Sequence, residues 1–485
     1  MNWWVLKRQL HVSWLIAILS LALLIGIFLA KAIQPTLFAS SLWLVMGIVC
    51  LAISLWRRYI YLIPLLIIGS IIFGLWRGSI QTTELMDIKK LYNTSIIVSG
   101  SVREDVDSDT SGHSVIRLDS LEIKNTSIAG VLWVSAKSDA DIKRSDYITV
   151  EGKVGEGFGS FAGTVYQARI THVQRPQLGD VARIVRDWFA DGVRRAIPDP
   201  QASLGIGYLV GQKRALPADL VEALQIVGLT HVVVASGYNL TILVRLARRL
   251  FEKLSKYLSA LSASVMITGF VAVTGISPSM SRAGLVAGLS LAAWYYGRRF
   301  HPLVLLLFAA AVTVIINPSY IWGDLGWQLS FAAFAGVMIV APLLQRFFFG
   351  EKKPNFLRQI LGETISATIV TAPILISAFG QISNVAIIAN LLVLPLVPLA
   401  MLLTFIAGLG ALIVPTMSTI VGLPASWLLG YMTNVAHYLS HLPWSVSKIE
   451  LSSTAVAASY VVFILICIYL WRSTKLDLRE TNIVV

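Results

Sequence analysis

The sequence has few of the residues that build disulfide frameworks and metal centres. It contains 2 cysteines in 485 residues. Both Cys50 and Cys467 fall inside apolar runs, so neither a disulfide scaffold nor a thiolate metal site can be built from them. His437 and His441 have the i, i+4 spacing of metal ligands, but no third ligand or neighbouring acid in the sequence completes a site. We therefore predict no bound metal and no cofactor.

The sequence also lacks the short motifs of nucleotide chemistry. It has no Walker A loop, no paired catalytic carboxylates and no glycine-rich dinucleotide loop. These absences argue against a protein that hydrolyses a nucleotide to drive transport. We expect a protein that is not an enzyme.

Charged residues are scarce, at 13% of the chain against 56% apolar residues. The mean hydropathy of +0.73 places the chain among polytopic membrane proteins. The net charge is +13, yet residues 80–175 hold 11 Lys and Arg against 13 Asp and Glu. The basic excess therefore lies outside this segment. It suits positive-inside anchoring, lipid headgroups or a polyanionic substrate, and the charge alone does not choose among them.

The N-terminal segment, residues 1–79, is predicted to contain membrane helices. The expected spans are residues 13–30, 40–55 and 59–76. Lys7 and Arg8 precede the first span, while Arg57 and Arg58 separate the second from the third. By the positive-inside rule this pattern places the N-terminus in the cytoplasm. The chain is then expected to emerge on the outer face after Trp76.

Polar alternation replaces the apolar runs in residues 80–175. The expected strands are residues 96–103, 114–123, 130–136, 147–154 and 163–173. Five short strands in about a hundred residues suit a small barrel, and the OB-fold is the obvious candidate. Nucleic acid is then one plausible ligand. A structural or assembly role is equally compatible with the slightly acidic balance.

Residues 176–200 are predicted to form an amphipathic helix at the membrane surface. Its arginines, Arg183, Arg186, Arg194 and Arg195, alternate with apolar residues. They would hold the helix on anionic headgroups or collect an anionic polymer. Residues 201–475 are predicted to be a second transmembrane domain, followed by a tail, 476–485. Proline-interrupted segments suggest that at least one of them re-enters the membrane, and we expect about eleven spans in all.

The most polar interruption of this apolar domain runs from residue 204 to 283. Lipid tolerates such breaks only where they face protein or a water-filled cavity. A helix broken near Ser236 and Gly237 would line a polar cavity with Ser236 and Asn239. Arg282 is either a snorkelling helix-end residue or a fixed positive charge at the mouth of an anion path.

Ser236 and His231 raise the alternative of an intramembrane serine hydrolase. Positions i and i+5 on one helix point about 140° apart, which is poor geometry for a hydrogen bond between nucleophile and base. The usual Gly-x-Ser-Gly motif is absent as well. The residues therefore favour a polar lining over catalysis.

Asp324 precedes an apolar run and suits the N-cap position of a helix. An ion pair with Arg282 or Arg214 is the other interpretation. Gln328 lies one turn further along the same helix face, which suggests a polar seam.

These motifs resemble the ComEC family of competence proteins. The first group of matches is Leu209-x-Gly211-x3-Ala215-x-Pro217, Gly228–Leu229–Thr230–His231, Ala235–Ser236–Gly237-x-Asn239 and Thr274–Gly275-x-Ser277-x3-Ser281–Arg282–Ala283. The second group is Asn317–Pro318, Gly326-x-Gln328–Leu329–Ser330–Phe331, Pro373, Phe379–Gly380–Gln381–Ile382–Ser383, Asn390 and Pro395. They occur in family order across residues 204–402, and are jointly specific although each alone is weak.

The resemblance implies an inner-membrane channel that imports single-stranded DNA during natural transformation. It implies contact with single-stranded DNA and membrane lipids, and an OB-like domain on the outer face. Many family members carry a C-terminal metallo-β-lactamase-like domain, but no His-x-His-x-Asp-His run occurs here. We therefore expect a short form, served by a separate DNA translocase or helicase, a DNA receptor and a separate nuclease. A transporter of another anionic or lipid-linked substrate is the alternative.

The candidate residues of the substrate path combine basic, hydroxyl and amide side chains with one carboxylate. Arg214, Arg282 and Lys213 would supply a positive potential for phosphates. Ser236, Asn239 and Gln328 would offer exchangeable hydrogen bonds. The candidates are Lys213, Arg214, His231, Ser236, Asn239, Arg282, Asp324, Gln328 and Asn390.

Overall fold

The computed structural model describes residues 10–33, 35–57, 59–108, 113–123, 126–137, 141–176, 180–212, 216–233, 236–275, 277–298, 301–352 and 354–478. The chain divides into two compact units. Unit 1 comprises Met1–Gln177 and Phe300–Gln328, and unit 2 comprises Leu178–Arg299 and Leu329–Val485. Each unit therefore combines segments that are distant in sequence.

Helices dominate the described residues. Up to residue 298 they are α1 Val12–Ala30, α2 Pro35–Phe38, α3 Ser41–Arg57, α4 Ile63–Lys89, α5 Val181–Ala196, α6 Gln201–Val210, α7 Ala218–Ile226, α8 Thr230–Val233, α9 Gly237–Glu252, α10 Lys256–Thr274 and α11 Pro278–Tyr295. The later helices are α12 Pro302–Ile316, α13 Ser319–Gly323, α14 Leu325–Ala335, α15 Ala341–Phe349, α16 Phe356–Phe379, α17 Ala386–Val393, α18 Val397–Ile413, α19 Ser418–Ser440 and α20 Ser453–Thr474.

The strands are shorter and mostly belong to unit 1. They are β1 Ser95–Val102, β2 Asp107–Ser108, β3 Ser114–Ile123, β4 Thr126–Ile128, β5 Leu132–Ala136, β6 Tyr147–Glu156, β7 Gly163–Val165, β8 Arg169–Gln174, β9 Gln381–Ser383 and β10 Val446–Lys448. The last two pair with each other in unit 2.

Seven helical segments in the described residues are long and apolar enough to cross a membrane. They are Val12–Ala30, Ile60–Lys89, Lys256–Thr274, Leu325–Phe349, Phe356–Phe379, Ala386–Ile413 and Ser453–Thr474. Ser41–Arg57 and Pro302–Ile316 are apolar but shorter. These segments indicate a membrane protein, while the expected total of about eleven spans stays a prediction.

The strands of unit 1 close into a small five-stranded barrel. β1 pairs antiparallel with β3 and β3 with β5. β5 pairs parallel with β7, and β7 pairs antiparallel with β6. β6 returns to β1 and closes the circle. The five-stranded barrel expected from the sequence is therefore present.

The last predicted strand, residues 163–173, is wrong in one respect, because it is two strands. β7 ends at Val165 and β8 begins at Arg169, and both pair with β6. Gln167 between them has a φ of 53°, a left-handed conformation that ends a strand. The chain therefore turns here and does not continue extended.

Helix α4 joins the membrane segment to the barrel without a break. The apolar run was expected to end at Trp76, but the helix continues to Lys89. Ile88 near its end is 2% exposed and packs in the barrel core. The last turns of α4 thus become part of the barrel, and the helix crosses the boundary proposed at residue 79.

Two side chains of unit 1, Arg77 and Trp322, contact the ends of neighbouring helices. The Arg77 guanidinium donates to the carbonyl oxygens of Ile315 and Ile316 at 2.8 and 3.0 Å. These carbonyls end α12 and have no helical donor of their own. The Trp322 indole donates to the Ile27 carbonyl of α1 at 3.0 Å. Arg77 therefore joins the end of α12 to α4, and Trp322 joins α13 to α1 near the end of that helix.

Helix α5 lies within residues 176–200, where an amphipathic helix at the membrane surface was expected, and its interfacial position stays a prediction. The Asp180 carboxylate caps it by accepting the Arg183 backbone N–H at 3.0 Å. Arg183 and Arg186 are buried, whereas Trp188 and its apolar neighbours are exposed. These two arginines therefore face the protein, and the apolar face is the one left for lipid.

We predict that Asp146→Ala loosens the barrel. Asp146 is fully buried and accepts hydrogen bonds from the Lys143 backbone and from the Arg175 guanidinium at 2.9 to 3.1 Å. The same hydrogen bond raises the pKa of Arg175. Losing charged hydrogen bonds of this kind costs about 2 kcal/mol. Amide hydrogen exchange in β6 and β8 of the full-length protein should accelerate roughly 30-fold.

The control is Asp141→Ala, which removes an exposed carboxylate from the same loop. It keeps the Asp141 carbonyl that accepts from Arg175. Equal exchange rates in the two variants would contradict a structural role for the Asp146 carboxylate.

Candidate functional site

The polar break expected in the apolar domain lies at the start of α9. Ser236 has extended backbone geometry, and its hydroxyl oxygen accepts the Asn239 backbone N–H at 3.4 Å. Ser236 is therefore the N-cap of α9. A capping serine satisfies one of the amides that a helix leaves unpaired in its first turn.

Asn239 fixes this break to two neighbouring helices. Its side chain is fully buried. The amide nitrogen donates to the Tyr208 carbonyl at 3.1 Å and to the Val232 carbonyl at 3.5 Å, which joins α9 to α6 and α8. The Oδ1 atom of Asn239 has no hydrogen-bond partner among the described residues. The amide nitrogen of Asn239 thus serves the fold, and a contact of its oxygen with a substrate stays a prediction.

Arg282 lies beside the same helix start. Its Nε donates to the Ser330 hydroxyl at 2.6 Å, and Ser330 lies 3.3 Å from the Ser279 hydroxyl. A methyl group added to Gly237 would come within 3.0 Å of the Arg282 Nη2 atom. The absence of a side chain at Gly237 therefore lets the guanidinium approach the first turn of α9.

Aromatic rings complete the surroundings of Arg282. The guanidinium carbon lies 5.2 Å from the Phe334 ring centre and 5.9 Å from that of Phe331. In the described part of unit 2, no carboxylate forms an ion pair with Arg282. Ring faces stabilise a cation only modestly, so the positive charge is held in place without being neutralised.

The electrostatic character of the site follows from two positive sources at one point. The N-terminus of a helix carries a partial positive charge and exposes backbone N–H groups. The Arg282 guanidinium adds a full charge beside the start of α9. Such a combination binds anions such as phosphate.

Tyr238 contacts the chain just after α17, the helix that carries Asn390. The exposed Tyr238 directs its hydroxyl to the Leu394 carbonyl at 3.5 Å. Asn390 lies one turn earlier and is 4% exposed, and its Oδ1 atom has no partner among the described residues. Asn390 is thus a buried residue one helical turn before the carbonyl that Tyr238 contacts, and its contact with a substrate stays a prediction.

Ser236 and His231 do not form a hydrogen-bonded pair within the described residues. The Ser236 hydroxyl caps α9, and His231 lies on the exposed side of the four-residue helix α8. The geometry therefore offers no support for a serine hydrolase.

Asp324 and Gln328 belong to unit 1. One Asp324 oxygen accepts the Trp327 backbone N–H at 2.7 Å, as the capping interpretation requires. The other accepts the hydroxyl of Ser160, a barrel residue, at 2.9 Å. Gln328 is half-buried on the same helix. Asp324 is therefore a cap and a link to the barrel.

Lys213 and Arg214 lie outside the described residues. Ser330 was not chosen as a site residue, although it stands two positions after Gln328 in a quoted motif. Its proximity to Arg282 connects segments 48 residues apart, which spacing along the sequence does not reveal.

No group of three metal-binding side chains occurs within the described ranges. The Nδ1 atom of His441 lies 2.7 Å from the His437 carbonyl oxygen at the end of α19. This contact satisfies a carbonyl in the last turn of α19, so the ring of His441 serves the end of the helix.

Comparison with known proteins points in one direction. The sequence model of the family described as "Competence protein" matches residues 208–473, more than half of the chain. The chain is 26% identical over 215 residues to "ComE operon protein 3" of Bacillus subtilis (strain 168). That match covers 43% of this chain and 26% of the relative, so it spans about a quarter of the relative's length. No solved structure matches significantly.

The family match includes α9, Arg282 and the segments that surround them. Competence proteins of this kind point to a role in DNA uptake. The chain belongs to the Competence protein family, as a ComEC-type member.

Proposed function

We propose that this protein is an inner-membrane channel for single-stranded DNA in natural transformation. The observation that carries the proposal is the Arg282 guanidinium at the start of α9, hydrogen-bonded to Ser330 and without an ion-pairing carboxylate in the described part of unit 2. A charged residue inside an apolar domain that lacks an opposite charge usually marks an ion or substrate path.

The physical requirements of a DNA path fit this arrangement. A single strand carries one negative charge per nucleotide, so the path needs a positive potential. Binding at any one point must stay weak, because a tightly held strand would stall. Arg282 meets both conditions, since one fixed charge attracts each phosphate in turn and neutral hydroxyls, Ser279 and Ser330, lie beside it.

An exposed ring beside this charge would contact the bases. Tyr238 is 41% exposed and follows Gly237 at the helix start. Bases stack on aromatic rings with little sequence preference, as uptake of arbitrary DNA requires. Asn239 and Asn390 would offer amide oxygens that have no partner among the described residues. His231, Gln328, Lys213 and Arg214 are the further candidates along the path.

The proposal includes the orientation and partners of the protein. The N-terminus lies in the cytoplasm, and the barrel lies on the outer face as an OB-like domain, an assignment that its closed five-stranded topology supports. The proposed domains are 1–79, 80–175, 176–200, 201–475 and the tail 476–485. A separate translocase or helicase would pull the strand, and a DNA receptor and a nuclease would prepare it.

We expect Arg282→Glu to lower transformation frequency by roughly 100-fold or more, because it reverses the charge that attracts phosphates. Arg282→Lys should retain part of the activity, since it keeps the charge and loses the fixed guanidinium geometry. Both variants are measured in the natural host, with the amount of membrane-inserted protein determined by immunoblot.

Arg298→Glu is the matched control, because it makes the same charge change at an exposed position beyond the far end of α11. A normal transformation frequency with normal amounts of Arg282→Glu protein would refute the channel assignment. A growth defect in place of an uptake defect would indicate another anionic or lipid-linked substrate.

Ser236→Ala distinguishes a channel from a serine hydrolase. Loss of the cap should destabilise α9 by about 1 kcal/mol and leave transformation within roughly threefold of normal. Complete loss of uptake by a normally folded Ser236→Ala protein would favour catalysis. Thermal unfolding of the detergent-purified protein supplies the measurement of folding.

A further inference from the structure

Four aromatic side chains form a contiguous cluster on the barrel, which we call the ring cluster: Trp133, Phe158, Phe161 and Tyr166. Trp133 lies 5.8 Å from Phe158 and 5.2 Å from Tyr166 between ring centres. Phe158 lies 5.2 Å from Phe161. The rings come from β5, from the residue after β7 and from the loop between β6 and β7, so the barrel fold brings them together.

The ring cluster is open to the surroundings of the protein. Phe158 is 49% exposed and Tyr166 is 60% exposed, while Trp133 and Phe161 are half-buried. A contiguous exposed aromatic patch has a high cost in water unless something covers it. The ring cluster therefore indicates a contact surface.

The loop that carries Phe158 is seated on the entry to a membrane helix. A methyl group on Gly323 would come within 2.6 Å of the Gly159 carbonyl oxygen, so these two backbones are in direct contact. Ser160 donates to Asp324, which caps α14. The apolar segment Leu325–Phe349 begins one residue later. Phe158 thus directly precedes the two residues that contact the start of this apolar segment.

Two further contacts in unit 1 indicate that the lipid boundary lies near the start of this apolar segment. Arg77 is the first charged residue after the apolar run of α4, and it binds the carbonyls that end α12. Trp322, next to Gly323, binds α1 close to the end of that helix. Arginine and tryptophan side chains at helix ends are characteristic of the membrane–water interface.

Two partners could cover the ring cluster, a nucleic acid or the headgroup region of a bilayer, and the charge of the barrel favours the second. Residues 80–175 carry 13 acidic against 11 basic residues, which disfavours a polyanion. The rings meet at interplanar angles of 54° to 67°, so they form no common stacking platform for bases. The headgroup region of a bilayer takes up aromatic rings without requiring positive charge.

We propose that the ring cluster inserts into the headgroup region of the leaflet on the barrel side and anchors the barrel to the membrane surface. The anchoring surface consists of Phe158 and Tyr166, with Trp133 and Phe161 supporting them from behind. This role is independent of the DNA path, because it requires only that the apolar helices of unit 1 lie in a bilayer.

The test places an environment-sensitive fluorophore at the ring cluster in the full-length protein. A background without cysteines, Cys50→Ser with Cys467→Ser, receives Phe158→Cys or Tyr166→Cys and is reconstituted into phosphatidylcholine nanodiscs. Lipids with a nitroxide on the headgroup should quench both labels about twofold or more over the control. The matched control is Ile97→Cys, which is 60% exposed on β1, across the barrel from β5 and β7.

Equal quenching at residues 97, 158 and 166 would overturn the proposal. The proposal would also be overturned if headgroup nitroxides left the label at residue 158 or 166 unquenched while added oligothymidylate changed its fluorescence. The ring cluster would then be a surface for nucleic acid. Size-exclusion chromatography shows whether each labelled variant folds. If one of the two variants fails to fold, the label at the other position still tests the proposal.

Discussion

In so apolar a chain, every backbone break must find hydrogen-bond partners within the protein, and this constraint organises the described structure. Lipid offers no donors or acceptors, so an unpaired amide or carbonyl there costs several kcal/mol. Ser236 and Asp324 each satisfy the first turn of a helix. Arg77 satisfies the last carbonyls of another. The polar residues that look functional in the sequence are in large part those that make interrupted helices possible.

Arg282 differs from these residues because no opposite charge in the described part of unit 2 compensates its own. Hydroxyl and ring contacts hold the guanidinium in place, and no carboxylate in the described part of unit 2 cancels its charge. Asn239 holds α9 against α6 and α8, so it fixes the position of the helix start that Arg282 approaches. The site therefore combines a helix start fixed by hydrogen bonds with a charge that no described carboxylate of unit 2 neutralises, and both features support the proposed DNA path.

Local patterns in the sequence predicted local structure well. The strand at residues 114–123 agrees with β3, and the cap at Asp324 was expected from its place before an apolar run. Predictions failed where contacts with residues distant in sequence determine the local structure. α4 extends to Lys89 because Ile88 packs in the barrel core, and Gln167 splits a strand through its backbone conformation. The Arg282–Ser330 and Ser160–Asp324 contacts join remote segments, and no periodicity encodes such pairs.

The continuity of α4 has a mechanical consequence. A helix of 27 residues is about 40 Å long, and its two ends lie in different surroundings, one in the apolar segment and one in the barrel core. No flexible linker separates them to absorb strain. A force applied to the barrel is therefore transmitted along α4 to the apolar segment, and the helices packed against that segment bear the load.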